Sequence, residues 1–162
     1  MSTAVAVAVA ATANPWIAAA RAAAVDVLTQ ALSLPCAISD QHPPRVTMGA
    51  LIPFVGDMSP VQIGLFSDEA GCQRIARALL YAGPDDPLSK SEMVDAISEI
   101  VNILSGTIKG RVARYATHAA LGLPAFVMGP IEPTSGQVID TVNLSVDGAV
   151  AQVVIVRALN DG

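Results

Sequence analysis

An acid and an amide stand three residues apart in the segment EMVDAISEIVNILSGTIKG, which covers residues 92–110. They are Glu99 and Asn102, and this spacing places their side chains next to each other if the segment is helical. Glu99 supplies a carboxyl group whose oxygens accept hydrogen bonds. The amide of Asn102 both donates and accepts hydrogen bonds, so it can orient a water molecule without carrying a charge. Whether another molecule can contact this pair depends on the element that carries it and on which face of that element is exposed.

The apolar residues of the segment predict one amphipathic helix. At 100° per residue, one set of apolar side chains falls within roughly 80° and should be buried: Met93, Ile97, Ile100, Leu104 and Ile108. Roughly 180° away on the same helical wheel lies a second, polar set: Asp95, Glu99, Asn102 and Gly106. Ser89 and Glu92 have the spacing of a capping box, so the helix should begin there and extend to about residue 118.

A solvated surface without function is the simpler explanation for this polar face. Two observations weigh against it: Asn and Gly are poor helix formers, and a chain so rich in alanine had a better residue for positions 102, 106 and 110. Glycines on an exposed face allow another backbone to come close. The alternative is that Gly110, and less readily Gly106, packs against the sheet or another helix of the same chain.

The stretch DAISEIVNILSG, followed by LGLP, resembles the CheX/CheC/FliY group of chemotaxis phosphatases, and CheX most of all. The signature of that group is an Asp or Ser, a Glu four residues later, an Asn three further and a Pro a little over twenty beyond. Here these positions are Asp95, Glu99, Asn102 and Pro124. The stretch GLFSDEAGCQRIARALL also resembles the elements that precede the motif. The first predicted helix contains no Glu-x-x-Asn, which implies one site in each chain, as in CheX.

The resemblance implies a phosphatase that removes phosphate from the phospho-aspartate of a CheY-type response regulator. Asn102 would orient the attacking water, and Glu99 would pair with the active-site lysine of the regulator. Asp95 and Gly106 are candidate contacts to that partner, and Pro124 is expected to be structural. No cofactor or metal of this chain is expected, because Mg²⁺ would be held by the regulator. The resemblance also implies a homodimer formed in part by joining sheets.

Two other functions stay open on the sequence alone. One is a non-enzymatic CheX-like module that binds a regulator or a flagellar switch component. The presence of both Glu99 and Asn102 argues against it, because a pure adaptor does not need the two together. The other is an oligomerisation domain that has no phosphorylated partner.

The composition excludes several classes of partner. The formal net charge is −5 over 162 residues, which disfavours sequence-independent nucleic-acid binding and docking on anionic membranes. The two cysteines, Cys36 and Cys72, have no metal-ligand spacing and are expected to be small buried residues of a cytoplasmic protein. No charged side chain precedes the apolar N-terminal run, so residues 1–13 are interpreted as a flexible tail rather than a signal or a membrane span.

Residues 14–162 are predicted to form a single α+β domain, with a mostly antiparallel sheet and two long helices packed on it in the order α-β-β-α-α-β-β-β. Asn14 and Pro15 should start the first helix, and residues 33–44 should be a loop. Ser67 should cap the second helix, which Gly83 and Pro84 should stop. Strands are predicted over residues 45–55, 61–67, 124–131, 137–146 and 149–157. Asp147 and Gly148 should join the last two strands in a tight hairpin. The apolar run AVAQVVIVRAL would be a liability as an uncovered sheet edge, so it is a possible edge for a second subunit to cover.

Overall fold

The computed structural model describes residues 14–39, 45–56, 59–114 and 118–159. Three helices are present in these residues: α1 (Pro15–Leu32), α2 (Glu69–Leu79) and α3 (Lys90–Arg111). The strands are β1 (Cys36–Ile38), β2 (Met48–Val55), β3 (Val61–Ser67), β4 (Ala120–Leu121), β5 (Ala125–Met128), β6 (Gln137–Val146) and β7 (Ala149–Ala158). The predicted α+β class is confirmed, and the order of the elements agrees apart from two additional short strands. The predicted tail, residues 1–13, lies outside the described residues.

The strands form one antiparallel sheet in the order β1-β6-β7-β3-β2-β4, and β5 also pairs with β2. The three helices pack against the face of the sheet that carries Ile52, Ile63 and Ile155. Since side chains alternate along a strand, these paired residues point to the same side of the sheet. Helices and sheet thus enclose one continuous apolar core, and α3 is held in it from several sides.

Polar caps fix the starts of the helices. The Asn14 side chain accepts hydrogen bonds from the backbone N–H groups of Trp16 and Ile17 at the start of α1, as predicted. At α2 the prediction was wrong by one residue: Asp68 is the cap, and its Oδ1 accepts from the N–H of Gly71 at 2.7 Å. The Ser67 hydroxyl instead donates to the carbonyl of Val150 at 2.6 Å. It therefore ties β3 to the neighbouring strand rather than serving the helix.

Several predicted boundaries differ from the observed ones. Residues 36–38, assigned to a loop, form β1, because they pair with the end of β6 more than a hundred residues later. Helix α2 ends at Leu79 rather than at Gly83, and α3 ends at Arg111 rather than near residue 118. The predicted strand 124–131 is shorter and begins at Ala125, while Ala120 and Leu121 form the separate strand β4.

The apolar run that suggested a dimerising edge lies inside the sheet. It forms β7, which pairs with β6 on one side and β3 on the other, so it is covered within its own chain. That support for the homodimer is therefore removed, and the dimer stays a prediction from the family resemblance.

The predicted hairpin and the predicted burial of Cys72 are confirmed, whereas Cys36 is only partly buried. Asp147 and Gly148 both have positive φ, 47° and 82°, as a two-residue hairpin of the favoured hand requires. Cys72 is buried and Cys36 is partly buried, and desolvation by burial raises the pKa of the two thiols to about 12 and about 11. High thiol pKa values indicate unreactive side chains.

None of the described helices combines the length and the apolar character that crossing a bilayer requires.

Candidate functional site

Helix α3 carries the motif, and its position is fixed at both its start and its buried face. Ser89 Oγ accepts from the Glu92 N–H at 3.1 Å, and Glu92 Oε2 accepts from the Ser89 N–H at 3.3 Å, which completes the predicted capping box. The five apolar residues predicted to be buried are each at most 4 % exposed: Met93, Ile97, Ile100, Leu104 and Ile108. Because this stripe is locked in the core, the opposite face of the helix has a fixed orientation.

That opposite face is open to solvent. Asp95, Glu99, Asn102 and Gly106 are all exposed, and on a regular helix they fall within an arc of about 60°. Among the described residues, none hydrogen-bonds to the side chain of Glu99 or Asn102, and neither is in an ion pair. An acid and an amide are therefore presented side by side on a rigid element, with their hydrogen-bonding capacity available to another molecule.

The two glycines of α3 are not explained by packing within the described part of the chain. A Cβ added at Gly106 would meet only the Leu121 Cδ1 atom at 4.0 Å, which is ordinary van der Waals contact. A Cβ added at Gly110 would have no described atom within 4 Å. Alanine would fit at either position, so the alternative of close packing inside the chain has no support there.

A short segment at the edge of the sheet runs beside this helix. β4 and β5 both pair with β2, but Ile52 and Pro53 of β2 face three residues, 122–124, of the adjoining segment. One extra residue therefore bulges out between β4 and β5. The N–H of Gly122 donates to the carbonyl of Pro53 at 2.8 Å, which fixes the bulge on β2. Leu123, in its middle, is 86 % exposed, and Pro124 beside it is exposed as well.

A protein-bound metal has no candidate site in the part of the chain that the structure describes. No group of three or more His, Cys, Asp or Glu side chains is placed there to hold an ion. The exposed face of α3 presents the carboxylates of Asp95 and Glu99, the amide of Asn102 and the backbone at Gly106.

Comparison with known families shows the family to which the chain belongs. The family described as "Chemotaxis phosphatase CheX" matches residues 48–134, which is more than half of the chain and includes all of α3 and the segment from β4 to β5. The chain belongs to the CheX family. No curated protein matches it.

Solved structures of CheX-like proteins have the same fold. The chemotaxis protein CheX from Vibrio vulnificus is 24 % identical, with 88 % of this chain and 93 % of that chain covered and a TM-score of 0.65. CheX in the CheX–CheY–BeF₃–Mg²⁺ complex from Borrelia burgdorferi is 20 % identical, covers 88 % and 96 %, and has a TM-score of 0.63. FliY from Thermotoga maritima is 12 % identical, covers 87 % and 85 %, and has a TM-score of 0.60. At these identities the likeness concerns the fold.

Sequence reasoning missed the apolar surroundings of the motif. Ile103, directly after Asn102, is 37 % exposed, and Leu123 stands out from the bulge. The signal for Ile103 was an isolated apolar residue about 40° from Glu99 on the helical wheel, outside the predicted buried stripe. No local signal predicts the exposure of Leu123, because it depends on how β4 and β5 pair with β2.

Proposed function

We propose that this CheX-family protein hydrolyses the phospho-aspartate of a CheY-type response regulator. The single observation that carries the proposal is the exposed and unoccupied pair of Glu99 and Asn102 on the rigid face of α3. The crystallised complex of CheX with CheY from Borrelia burgdorferi supports the choice of partner. Mg²⁺ is expected on the regulator, as the family resemblance implies.

The reaction needs positioning rather than a nucleophilic side chain. An acyl phosphate is already activated, because its leaving group is a carboxylate. A water oxygen attacks phosphorus, the bond between phosphorus and the aspartyl oxygen breaks, and the aspartate leaves as a carboxylate. The proton of the water passes to phosphate or solvent, and inorganic phosphate is released. Holding the water in line with the leaving oxygen supplies several kcal/mol of rate enhancement.

Asn102 is the residue assigned to the water. Its carboxamide oxygen accepts a hydrogen bond from the water, and its NH₂ group donates to the water or to a phosphoryl oxygen. An uncharged amide does this without repelling the phosphoryl group. Val101 and Leu104, on the other side of the same helical turn, are fully buried in the core, so Asn102 projects from a rigidly held part of α3.

Glu99 is assigned to docking rather than to proton transfer. A carboxylate beside phosphoryl oxygens is repelled by them, but it is attracted to the lysine that a response regulator places near its phosphate. Pairing with Glu99 draws that lysine away from the phosphoryl group and aligns the two proteins. Asp95, one turn earlier, and Gly106, one turn after Asn102, are assigned to contact with the same partner.

The decisive experiment is phosphate release from phosphorylated response regulators of the same genome, measured with the wild type and Asn102→Ala. We expect Asn102→Ala to lower kcat by at least about 100-fold, because the water loses its positioning group. The free energy of unfolding should stay the same or rise slightly, since Ala is the better helix former on an exposed surface. Phosphate release by Asn102→Ala at the wild-type rate would refute the mechanism.

Two further variants distinguish a loss of catalysis from a loss of regulator binding. Gln30→Ala removes an exposed amide from α1 and serves as the matched control, with no expected change in activity. Glu99→Ala should raise KM more than it lowers kcat, because its assigned contact is with the partner. A wild-type protein that binds the regulator without releasing phosphate would favour the non-enzymatic module instead.

A further inference from the structure

We propose that Leu123, on the β4–β5 segment that runs along α3, is an apolar docking contact for the phosphorylated regulator beside Glu99 and Asn102. The inference rests on the proposed function and adds a second element to its site. It follows from the course of that segment along α3, from the bulge in it and from the size of a protein interface.

The β4–β5 segment follows α3 in the opposite direction. At one end, the Leu121 side chain reaches the position of Gly106. At the other end, Met128 lines a cavity of about 350 Å³ together with Met93 and Lys90 of the first turns of α3. The β4–β5 segment therefore lies against α3 at both ends of the segment.

The length of the segment from Leu121 to Met128 agrees with the length of α3 between Met93 and Gly106. Seven residue steps from Leu121 to Met128 span ~23 Å as extended chain. Thirteen residue steps from Gly106 back to Met93 span ~20 Å as helix. Leu123 and its neighbour Pro124 therefore lie alongside the turn of α3 that carries Glu99 and Asn102.

The backbone that carries Leu123 is fixed. Hydrogen bonds join Gly122 to Pro53 and Gly129 to Thr47, and β5 pairs with β2 between them. A bulge redirects the side chain at its centre, and here it leaves a leucine 86 % exposed on a rigid strand edge. An apolar side chain held out by a fixed backbone loses little conformational entropy when a partner covers it.

The position of Leu123 beside Asn102 indicates which partner would cover this surface. A protein partner covers about 800 Å² of surface on each side, which is a patch ~30 Å across. Since Leu123 lies beside the turn of α3 that carries Asn102, we expect a regulator whose acyl phosphate reaches Asn102 to cover Leu123 as well. Asp95 and Glu99 give the helix side of the patch negative charge, while Leu123 and Ile103 give it apolar surface. The expected partner surface has a lysine and an apolar patch next to its phospho-aspartate.

The test is the steady-state kinetics of phosphate release by Leu123→Ser with the phosphorylated regulator. We expect KM to rise about tenfold, which corresponds to about 1.4 kcal/mol, with kcat unchanged. Leu123→Met keeps an apolar side chain and should keep a KM close to that of the wild type. Because Leu123 is exposed, all variants should unfold at the wild-type denaturant concentration.

Leu159→Ser is the matched control. Leu159 is 60 % exposed and follows β7, which β3 and β2 separate from the β4–β5 segment. Its KM should equal that of the wild type. Three outcomes would each overturn the docking contact: an unchanged KM for Leu123→Ser, a fall in its kcat alone, or an equal rise in KM for Leu159→Ser. None of them would contradict the proposed phosphatase activity. A wild-type protein that releases no phosphate from any regulator would overturn the proposed function, and the docking contact with it.

Discussion

Helices α1 and α3 pack side by side on the same face of the sheet, yet their exposed faces differ. Both begin with a polar cap, both bury an apolar face in the shared core, and Arg111 of α3 forms an ion pair with Asp26 of α1 at 2.7 Å. The exposed face of α1 includes Ala18 and Ala22. The exposed face of α3 has Asn102, Gly106 and Gly110 instead.

The difference separates stability from function on two neighbouring elements. Alanine is the best helix former, and glycine is about 1 kcal/mol worse at an exposed interior position. The exposed face of α1 therefore supports its own helix, whereas that of α3 gives up stability at the positions around Glu99. Poor helix formers that make no compensating contact inside the chain are expected on a surface that binds a partner.

The largest expected effect tests whether the buried faces of the two helices are equivalent. Ile100→Ala in α3 and Leu28→Ala in α1 each truncate a fully buried side chain. We expect each to lower the free energy of unfolding by about 2–5 kcal/mol, through lost burial and the cavity left behind. Urea unfolding followed by circular dichroism measures this. A loss below about 1 kcal/mol at Ile100 would show that α3 is not anchored as described.

A smaller effect tests the contrast between the exposed faces directly. Gly106→Ala should raise the free energy of unfolding by about 1 kcal/mol, and Ala22→Gly in α1 should lower it by a similar amount. If a partner backbone approaches Gly106, the stabilised variant should also dock the regulator more weakly and show a higher KM. Ala22→Gly, which lies on α1 outside the motif, is the control for activity. A Gly106→Ala protein that is less stable than the wild type would contradict the open surroundings of this glycine.

The smallest effect concerns a polar group on the flank of α3. Ser105 is fully buried, and its hydroxyl has no hydrogen-bond partner among the described residues. Ser105→Ala removes an unsatisfied group at the cost of one small atom. The free energy of unfolding should therefore stay the same or rise by up to about 1 kcal/mol. A clear loss of stability in urea unfolding would reveal a hydrogen bond to Ser105.

Elements with local causes were predictable from the sequence. The capping box at Ser89, the buried stripe of α3 and the hairpin at Asp147 and Gly148 each depend on residues a few positions apart. The exposure of Glu99 and Asn102 follows from that stripe, because burying one side of a helix turns the other side outward. Their roles in catalysis are proposals that rest on chemistry and family.

Features that depend on distant partners were missed or misplaced. β1 is only three residues long and carries no strand signal of its own, and it exists because β6 pairs with it. β7 was taken for a possible edge because an apolar run does not reveal how many neighbours it has. The predicted strand 124–131 is shortened to β5 and is preceded by the separate strand β4, because each pairs with β2 in its own register.

The sequence by itself determined the three helices, the main strands and the face of α3 that carries Glu99 and Asn102, because helical periodicity and capping act over single turns. Only the tertiary structure decided which strands lie at the edges of the sheet and that Leu123 stands out beside the motif. The physical reason is that strand pairing and register are set by contacts between residues far apart in sequence, which no short stretch encodes.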